Sequence, residues 1–296
     1  MILVVGATGL LGSEICRQLA SRGDRVRALV RRTSNPERVS ELAQLGIDLV
    51  TGDLKEAPTL RAACRGAEVV VSTASSTLSR QAGDSIETVD LQGQLDLIAA
   101  AEAEGVKRFV LVSFRGSDTA FPLQDAKRAV EARLRQGPMT HVILQPTCFM
   151  EIWLSPALGF DPANSRILVL GAGRNRISWI SLYDVAAYAV AAIHAPRAEN
   201  VTLPLGGPEA LSPLEVASIA ERLLGRSLAL QHLPEEALRS QFASAGDSLQ
   251  RSMAGLMLYC AHGDVIDNAE AEAVLSVAPQ RSVQAFLSKG LAGGTI

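Results

Sequence analysis

The chain has 296 residues, of which 48% are hydrophobic, and a formal net charge of −3 at pH 7. It carries no basic face or block of like charges, so the pattern typical of nucleic-acid or membrane-surface binding is missing. Its apolar runs are far shorter than the roughly 18 residues of a membrane-spanning helix, and its length suits one elaborated domain or two closely joined ones.

The first twelve residues run from an apolar strand pattern through three glycines into a helix pattern. Gly6 permits a tight turn, Gly9 lets the backbone approach a pyrophosphate, and Gly12 lets the helix pack close to the strand. The N–H groups at the start of the helix then face the anion. The predicted phosphate-binding residues are Gly6, Ala7, Thr8, Gly9, Leu10, Leu11 and Gly12. The alternative is a glycine-rich turn that binds nothing.

From residue 1 to about 145, short apolar runs alternate with amphipathic stretches, which is typical of βαβ units. The predicted strands are Ile2–Val5, Arg25–Val30, Asp48–Thr51, Glu68–Ser72, Arg108–Val112 and His141–Gln145. The predicted helices are Leu10–Ser21, Pro36–Leu45, Ala57–Cys64, Ser85–Glu104 and Gln124–Gln136. Right-handed crossovers between these strands give a doubly wound parallel sheet of the α/β class.

The end of the second strand bears on the choice of cofactor. NAD-binding sites place an acidic residue there, whereas arginine accommodates the 2′-phosphate of NADP. This chain has Arg31 and Arg32 and no acidic residue between Asp24 and Glu37. Because a guanidinium grips phosphate bidentately, we predict that NADP(H) is favoured over NAD(H). The alternative is that both arginines are solvated loop residues.

Two further strands end in candidate cofactor contacts, since ligands bind at the carboxyl ends of strands in open α/β sheets. Asp53 is predicted to accept from the adenine amino group while Leu54 packs on its ring; alternatively, Asp53 caps the turn that follows. The residues predicted to line the ribose and nicotinamide side are Ser72, Thr73 and Ala74.

After residue 150 the pattern changes. Arg166–Leu170 and Arg176–Ile180 are predicted to pair across a glycine turn, and Asn200–Leu205 is predicted to be a further strand. From Ser212 the chain is predicted to be mainly helical, with amphipathic stretches at Pro213–Leu224, Glu235–Ala243 and Arg281–Lys289. We therefore predict a binding domain at 1–150, with returning segments near 176–205, and a smaller, mainly helical lobe at 151–296.

The cysteines and histidines show no metal-binding spacing, so no metal site is predicted. The four cysteines are interpreted as reduced residues, with Cys148 a candidate reactive thiol because its loop is predicted near the site. A strand at the N-terminus, without a basic leader, favours a cytoplasmic protein.

Several motifs, in their order along the chain, resemble those of the NmrA-like branch of the atypical short-chain dehydrogenase/reductases. They are Gly6-Ala-Thr-Gly-Leu-Leu-Gly12, Arg31-Arg32, Gly52-Asp53-Leu54, Val106 to Ser113, Ala126-Lys127 and Leu144 to Met150. The resemblance implies a Rossmann fold, an NAD(P) site and a smaller lobe over the nicotinamide. Such proteins include quinone and dye reductases, isoflavone-reductase-like enzymes, and cofactor-binding regulators or assembly factors.

The chain departs from the wider group at its catalytic motif. Short-chain dehydrogenases generally carry Tyr-x-x-x-Lys, but Leu123 stands four residues before Lys127. The resemblance implies that Lys127 holds the nicotinamide ribose and donates a proton, with Ser113 as a second catalytic candidate. The alternative is that Lys127 is a surface helix residue. Gln145 also stands where related chains often have arginine.

The resemblance implies that the loop after the sixth predicted strand passes over the nicotinamide. Its cofactor-binding residues are then Pro146, Thr147 and Phe149. The residues that face the substrate are Phe149, Met150 and Trp153. Equally, Met150 and Trp153 belong to the core between the lobes, which is commoner for such residues.

These features favour an NADPH-dependent reductase of a small apolar acceptor such as a quinone or conjugated carbonyl. A ketone leaves an alkoxide with a pKa near that of water, about 16, whereas a quinone leaves a phenolate with a pKa of about 10. Losing the tyrosine therefore harms ketone reduction more than quinone reduction. The alternative is a non-catalytic NADP(H)-binding sensor or assembly protein, for which a protein partner is expected.

Overall fold

The computed structural model describes residues 1–78 and 80–292. Its strands are β1 Ile2–Val5, β2 Val26–Val30, β3 Asp48–Thr51, β4 Val69–Ser72, β5 Arg108–Val112, β6 Thr140–Pro146, β7 Phe160–Asp161, β8 Arg166–Leu170, β9 Val201–Leu205 and β10 Ala229–Leu233. Its helices are α1 Leu10–Ser21, α2 Pro36–Gln44, α3 Ala57–Cys64, α4 Gly93–Ala103, α5 Pro122–Gln136, α6 Met150–Trp153, α7 Leu182–His194, α8 Pro213–Leu224, α9 Glu235–Ser244, α10 Ser248–His262, α11 Ala269–Leu275 and α12 Val283–Ala292. In this described part, every helix falls short of the length and apolarity needed to traverse a bilayer.

The main sheet is parallel throughout, in the order β3-β2-β1-β4-β5-β6-β9. From β1 the chain builds outward through β2 and β3, then returns to add β4, β5 and β6 on the other side. A crevice therefore opens at the carboxyl ends of β1 and β4, where the strand order reverses. The doubly wound α/β fold is confirmed, because the six strands predicted before residue 146 all form and pair as parallel neighbours.

Helices cover both faces of the main sheet, which explains why its central strands are runs of mostly buried residues, whereas the edge strand β3 is not buried. On one face, α1, α2, α7 and α11 pack around the buried side chains of Ile15 and Tyr188. On the other face, α3, α4 and α5 pack around Leu97 and Phe109. The two layers fix the connections at the carboxyl edge, which carry the candidate site.

The predicted helix Ser85–Glu104 is interrupted. Residues Ile86–Gln92 form a π-helical turn, and the regular helix α4 begins only at Gly93. Gly93 packs so tightly that an added Cβ would lie 2.7 Å from Leu54 Cβ. Single π-helical turns are frequent at functional sites, and this one carries Asp90, whose side chain is fully buried.

The predicted pairing of Arg166–Leu170 with Arg176–Ile180 was wrong. Strand β8 instead pairs antiparallel with β7 and parallel with β10 in a separate small sheet. Gly171 and Gly173 take positive φ values of 65° and 69° and end the strand in a turn. Residues 176–180 then form only isolated bridges, such as the one between Ile177 and Leu211.

The C-terminal region is mainly helical, as predicted, and β8 packs with α8, α10 and α12 around a separate apolar core. Strand β9 returns to the main sheet beside β6. The division into domains at residue 150 stays a prediction, and the last four residues of the range 151–296 lie outside the described residues.

Candidate functional site

A cleft of about 500 Å³ follows the carboxyl edge of the main sheet, a volume within the range of small-molecule sites. Of the predicted site residues, it is lined by Gly6, Thr8, Gly9, Leu10, Leu11, Gly12, Arg31, Asp53, Leu54, Thr73, Ala74, Ser113, Lys127, Pro146, Thr147 and Phe149. Three predicted residues do not line it: Ala7 and Ser72 are buried in the core, and Arg32 is exposed. Ser72 Oγ donates to Gln94 Oε1 at 2.9 Å, inside the sheet–helix layer.

The three glycines of the turn meet different spatial demands. Gly6 has a φ of +84°, and an added Cβ would lie 2.6 Å from Thr73 Oγ1. At Gly12, an added Cβ would lie 2.2 Å from Gly6 O, so this glycine allows α1 to approach the turn. An added Cβ at Gly9 meets only Gly6 O, at 3.2 Å. Gly9 is also the N-cap of α1, where the free N–H groups make an anion site.

Charged side chains crowd the end of the cleft beside β2 and β3 (Arg31, Asp53, Lys55 and Asp84). We call it the adenosine end, after the contact predicted for Asp53. Arg31 Nη1 lies 2.7 Å from Asp84 Oδ2, and Lys55 Nζ bonds both Asp84 and, at 3.1 Å, Asp53. Asp53 Oδ1 also accepts from the backbone N–H of Lys55 at 2.9 Å, so it does stabilise its own turn. Asp84 lines the cleft, although sequence reasoning missed it.

Lys127 lies at the other end of the cleft, on α5. Its residue exposure is only 5%, so it is not a surface residue. Its Nζ lies 3.5 Å from Oδ1 of Asp90, in the π-helical turn. The second Asp90 oxygen accepts from Ser76 N and Ser76 Oγ at 2.9 and 2.6 Å, and Oδ1 has no other partner among the described residues. Asp90 therefore positions the ammonium, because Ser76 fixes the carboxylate.

Ser113 follows directly after β5 and is held by a buried carboxylate. Its Oγ donates to Glu131 Oε1 at 2.6 Å, and Gln145 Nε2 donates to the same oxygen at 3.0 Å. Burial alone would raise the pKa of Glu131, but the hydrogen bonds from Ser113 and Gln145 and the contact with Arg128 hold that pKa below its usual value. The Ser113 proton is thus committed to a carboxylate, and only its lone pairs remain for a ligand.

The walls near Lys127, together with Ser113 and Lys127 themselves, form what we call the nicotinamide end. The loop after β6 contributes Phe149, and Trp153 follows it on α6, whereas Met150 is fully buried in the C-terminal core. Sequence reasoning missed the opposite wall, which α10 supplies through Met253, Leu256 and Tyr259. No amphipathic stretch was predicted here, and although a spacing of three residues puts these side chains on one helix face, it does not show what that face contacts.

The short-chain motif would place a phenol on α5. In this chain the cleft is lined by the phenol of Tyr259, on α10. Its hydroxyl donates to Asp264, which also lies 3.5 Å from Arg115 Nη1. Burial, followed by nearby negative groups, raises the pKa of Tyr259. Phe114 packs edge-on against its ring at a centroid distance of 6.2 Å. The phenol therefore stays protonated at neutral pH.

The candidate reactive thiol, Cys148, lies in the loop after β6, opposite α10. Cys148 lines the cleft but is only 2% exposed, and its Sγ lies 2.7 Å from Cys260 Sγ. Burial is the main cause that raises the pKa of Cys260. The pair therefore sits behind the cleft surface with little thiolate character at Cys260.

Comparisons with known proteins agree with this architecture. A family model described as the NmrA-like family matches residues 1–285. The NAD(P)H azoreductase of Xenophilus azovorans is 32% identical over 259 residues, 87% of this chain and 85% of the relative. The photosystem II assembly factor Ycf39 of Synechocystis sp. is 32% identical over 80% of this chain and 72% of its own length. Among solved structures, an NADPH-dependent quinone oxidoreductase from Escherichia coli, complexed with NADPH, aligns with a TM-score of 0.79 at 22% identity. The alignment covers 98% of this chain and all of that one, which shows that the two share a fold.

Proposed function

Because the chain belongs to the NmrA-like family, we propose that it is an NAD(P)H-dependent reductase of a small, largely apolar acceptor such as a quinone or conjugated carbonyl. The observation that carries this proposal is one continuous cleft that runs from the glycine turn to the buried ammonium of Lys127. The similarity to a protein named as an NAD(P)H azoreductase supports it.

The cleft fits a dinucleotide. The space beside Gly9 and the N–H groups at the start of α1 suit a pyrophosphate. The proposed adenosine contacts are Arg31, Asp53 and Leu54, and the ribose and nicotinamide contacts are Thr73, Ala74, Lys127, Pro146, Thr147 and Phe149. A bound nicotinamide supplies a hydride, and the protein's own groups must then hold the acceptor and move a proton.

Lys127 is the proposed catalytic residue, because it is the buried cation that reaches the cleft near Ser113. Its ammonium would hold a ribose hydroxyl or the acceptor oxygen and would give up a proton as negative charge develops there. Asp90 is the positioning residue. Ser113 accepts a hydrogen bond but does not supply the proton, since Glu131 already takes it.

The walls of the nicotinamide end favour a flat, apolar acceptor. Phe114, Phe149 and Trp153 face the cleft together with aliphatic side chains of α10. A phenolate with a pKa of about 10 needs a proton less urgently than an alkoxide near 16. A site whose motif tyrosine is replaced by Leu123 therefore suits quinones and conjugated carbonyls better than simple ketones.

We propose that the chain binds NADP(H) in preference to NAD(H), because of the side chains at the end of β2. Arg31 lines the cleft and presents a guanidinium to a 2′-phosphate. Arg32 is exposed beside it and adds a longer-range attraction that salt screens.

The second candidate function is a cofactor-binding assembly or sensor protein. The similarity to the photosystem II assembly factor Ycf39 favours it, as does the absent motif tyrosine. The discriminating experiment is NADPH oxidation by the purified chain against a panel of quinones, azo dyes, enones and simple ketones. Acceptor-dependent turnover supports the reductase, whereas NADPH binding with no turnover for any acceptor supports the second function.

A further inference from the structure

The adenosine end holds a closed set of charges. Asp84 is the hub, because Arg31 Nη1 contacts one of its oxygens at 2.7 Å and Lys55 Nζ contacts the other. Lys55 Nζ also bonds Asp53 Oδ2, at 3.1 Å. The Asp84 side chain is only 1% exposed, and the backbone N–H of Gln81 donates to it at 3.0 Å.

These four groups carry two positive and two negative charges, which cancel when all four are ionised. Burial acts to raise the pKa of Asp84, but its bonds from Lys55, Arg31 and the Gln81 N–H leave that pKa below the usual value. The carboxylate is thus charged at neutral pH. The guanidinium proposed to meet a 2′-phosphate is consequently already paired with an anion inside the cleft.

A 2′-phosphate entering this position gains the attraction of Arg31 and Lys55 but also meets the repulsion of Asp84 beside them. Coulomb interactions are strong where water is largely excluded, so a buried carboxylate opposes the phosphate more than an exposed one would. A 2′-hydroxyl has no such conflict, because it is neutral and donates to carboxylate oxygens.

We propose that Asp84 sets the cofactor selectivity of this chain, acting as an internal anion that restrains the preference for NADPH and admits NADH. The proposal rests on the cofactor site of the proposed function. The acidic group that NAD-binding sites usually carry at the end of β2 is thus supplied from the connection between β4 and α4.

The connection does not depend on Asp84 alone for its position. Gln81 Nε2 donates to Thr33 O at 2.9 Å, and the two side chains also contact each other. Ser34 Oγ accepts from the Arg31 N–H at 2.9 Å, which holds the opposite loop. Asp84→Asn therefore removes a charge while it keeps the side-chain shape and an oxygen for the Gln81 N–H.

The test is calorimetric titration of the full chain with NADPH and with NADH at low ionic strength. For D84N we expect the ratio of NADPH to NADH affinity to rise by about tenfold, equivalent to about 1.4 kcal/mol. In the Arg31→Ala background, D84N should raise the ratio less than it does in the wild type, because only Lys55 then remains for Asp84 to neutralise, while the repulsion between Asp84 and the phosphate is still removed. The matched control is Asp48→Asn, which breaks an Asp–Arg pair with Arg27 outside the cleft and leaves the ratio unchanged.

The outcomes separate the two proposals. A wild type that binds neither cofactor overturns the cofactor site and this inference together. A folded D84N with an unchanged affinity ratio overturns the inference alone. If D84N does not fold, the wild-type ratio decides: a preference for NADPH below about tenfold supports the restraint, and one above about a hundredfold overturns it.

Discussion

The two ends of the cleft are built differently. At the adenosine end, Arg31, Asp53 and Asp84 sit on connections that directly follow β2, β3 and β4, and the cation side chains are about a quarter exposed. At the nicotinamide end, Lys127 meets Asp90 and the opposite wall comes from α10, more than a hundred residues further along the chain. Here the side chains of Lys127 and Asp90 are 7% and 0% exposed.

This difference indicates that substitutions at the two ends should affect different properties of the protein. Under the proposed function, a ligand at the adenosine end would exchange one set of ion pairs for another, so single charge changes there should alter selectivity modestly. The nicotinamide end holds charged groups out of water, where each group has a larger effect on chemistry and on stability. Substitutions along the cleft test whether the two ends differ in this way.

The largest effect is expected between the two ends, at the turn. Gly9→Asp places a carboxylate against the pyrophosphate position, and we expect cofactor affinity to fall by about a hundredfold or more. An added Cβ at Gly9 meets only Gly6 O, in a tight contact at 3.2 Å that a small shift relieves, so the thermal unfolding midpoint should fall less than for a clash with the backbone. Calorimetric titration and thermal unfolding measure the two effects.

Gly12→Ala is the matched control for the turn, since its Cβ would collide with Gly6 O. It should lower the unfolding midpoint clearly. If Gly9→Asp unfolds as readily as Gly12→Ala, the glycine turn is structural and its phosphate role loses its support.

Lys127→Ala should lower kcat by about a hundredfold for an enone, the lower end of what a positioned proton donor contributes. The loss should be smaller for a quinone, and cofactor affinity should fall less than kcat. Steady-state kinetics with both acceptors, beside cofactor titration, gives the comparison. Lys107→Ala, at an exposed lysine, is the control.

A kcat that is indifferent to Lys127 for every acceptor contradicts the assignment. The next donor to test is then Tyr259, whose phenol stays protonated in the wall that α10 supplies. Tyr188→Phe is its matched control, because Tyr188 is fully buried away from the cleft and its hydroxyl has no partner among the described residues.

Glu131→Gln tests the buried charge beneath Ser113. We expect it to lower the free energy of unfolding at neutral pH by about 1–3 kcal/mol, because charged hydrogen bonds from buried partners are lost. The folded pKa lies below the usual 4.5, so the contribution of the charge is complete above pH 4.5 and is lost as the pH falls through the folded value. Urea unfolding at neutral pH and near pH 3.5 measures the difference, which should shrink in acid; a constant difference contradicts the account.

The smallest effect is expected at the two arginines after β2. Arg31→Ala should weaken NADPH binding several-fold and leave NADH binding nearly unchanged, whereas Arg32→Ala should do less because its side chain is exposed. Titration of both cofactors at two salt concentrations separates them. Equal losses for the two variants would contradict the distinction between a cleft residue and a solvated one.

The two ends also differ in how far the sequence predicts them. Gly6, Arg31 and Asp53 each follow a recognisable strand, so order along the chain places them at one edge of the sheet. Asp84, Asp90 and Glu131 were not predicted, because helix or loop patterns explain them locally, and the site residues that they contact, Arg31, Lys127 and Ser113, lie 18 to 53 residues away in the chain. The strand pairing near Gly171 failed for the same reason: local turn chemistry does not reveal that β10 competes for β8.

Anaerobic single-turnover kinetics shows directly whether the chain is a reductase. NADPH bound to the wild-type chain is mixed with a quinone or an enone, and its oxidation is followed by nicotinamide absorbance. The account predicts that absorbance decays at a rate set by the acceptor concentration, and that Lys127→Ala slows the enone reaction more than the quinone reaction. Tight NADPH binding with no decay for any acceptor would contradict the account and leave a cofactor-binding protein without turnover.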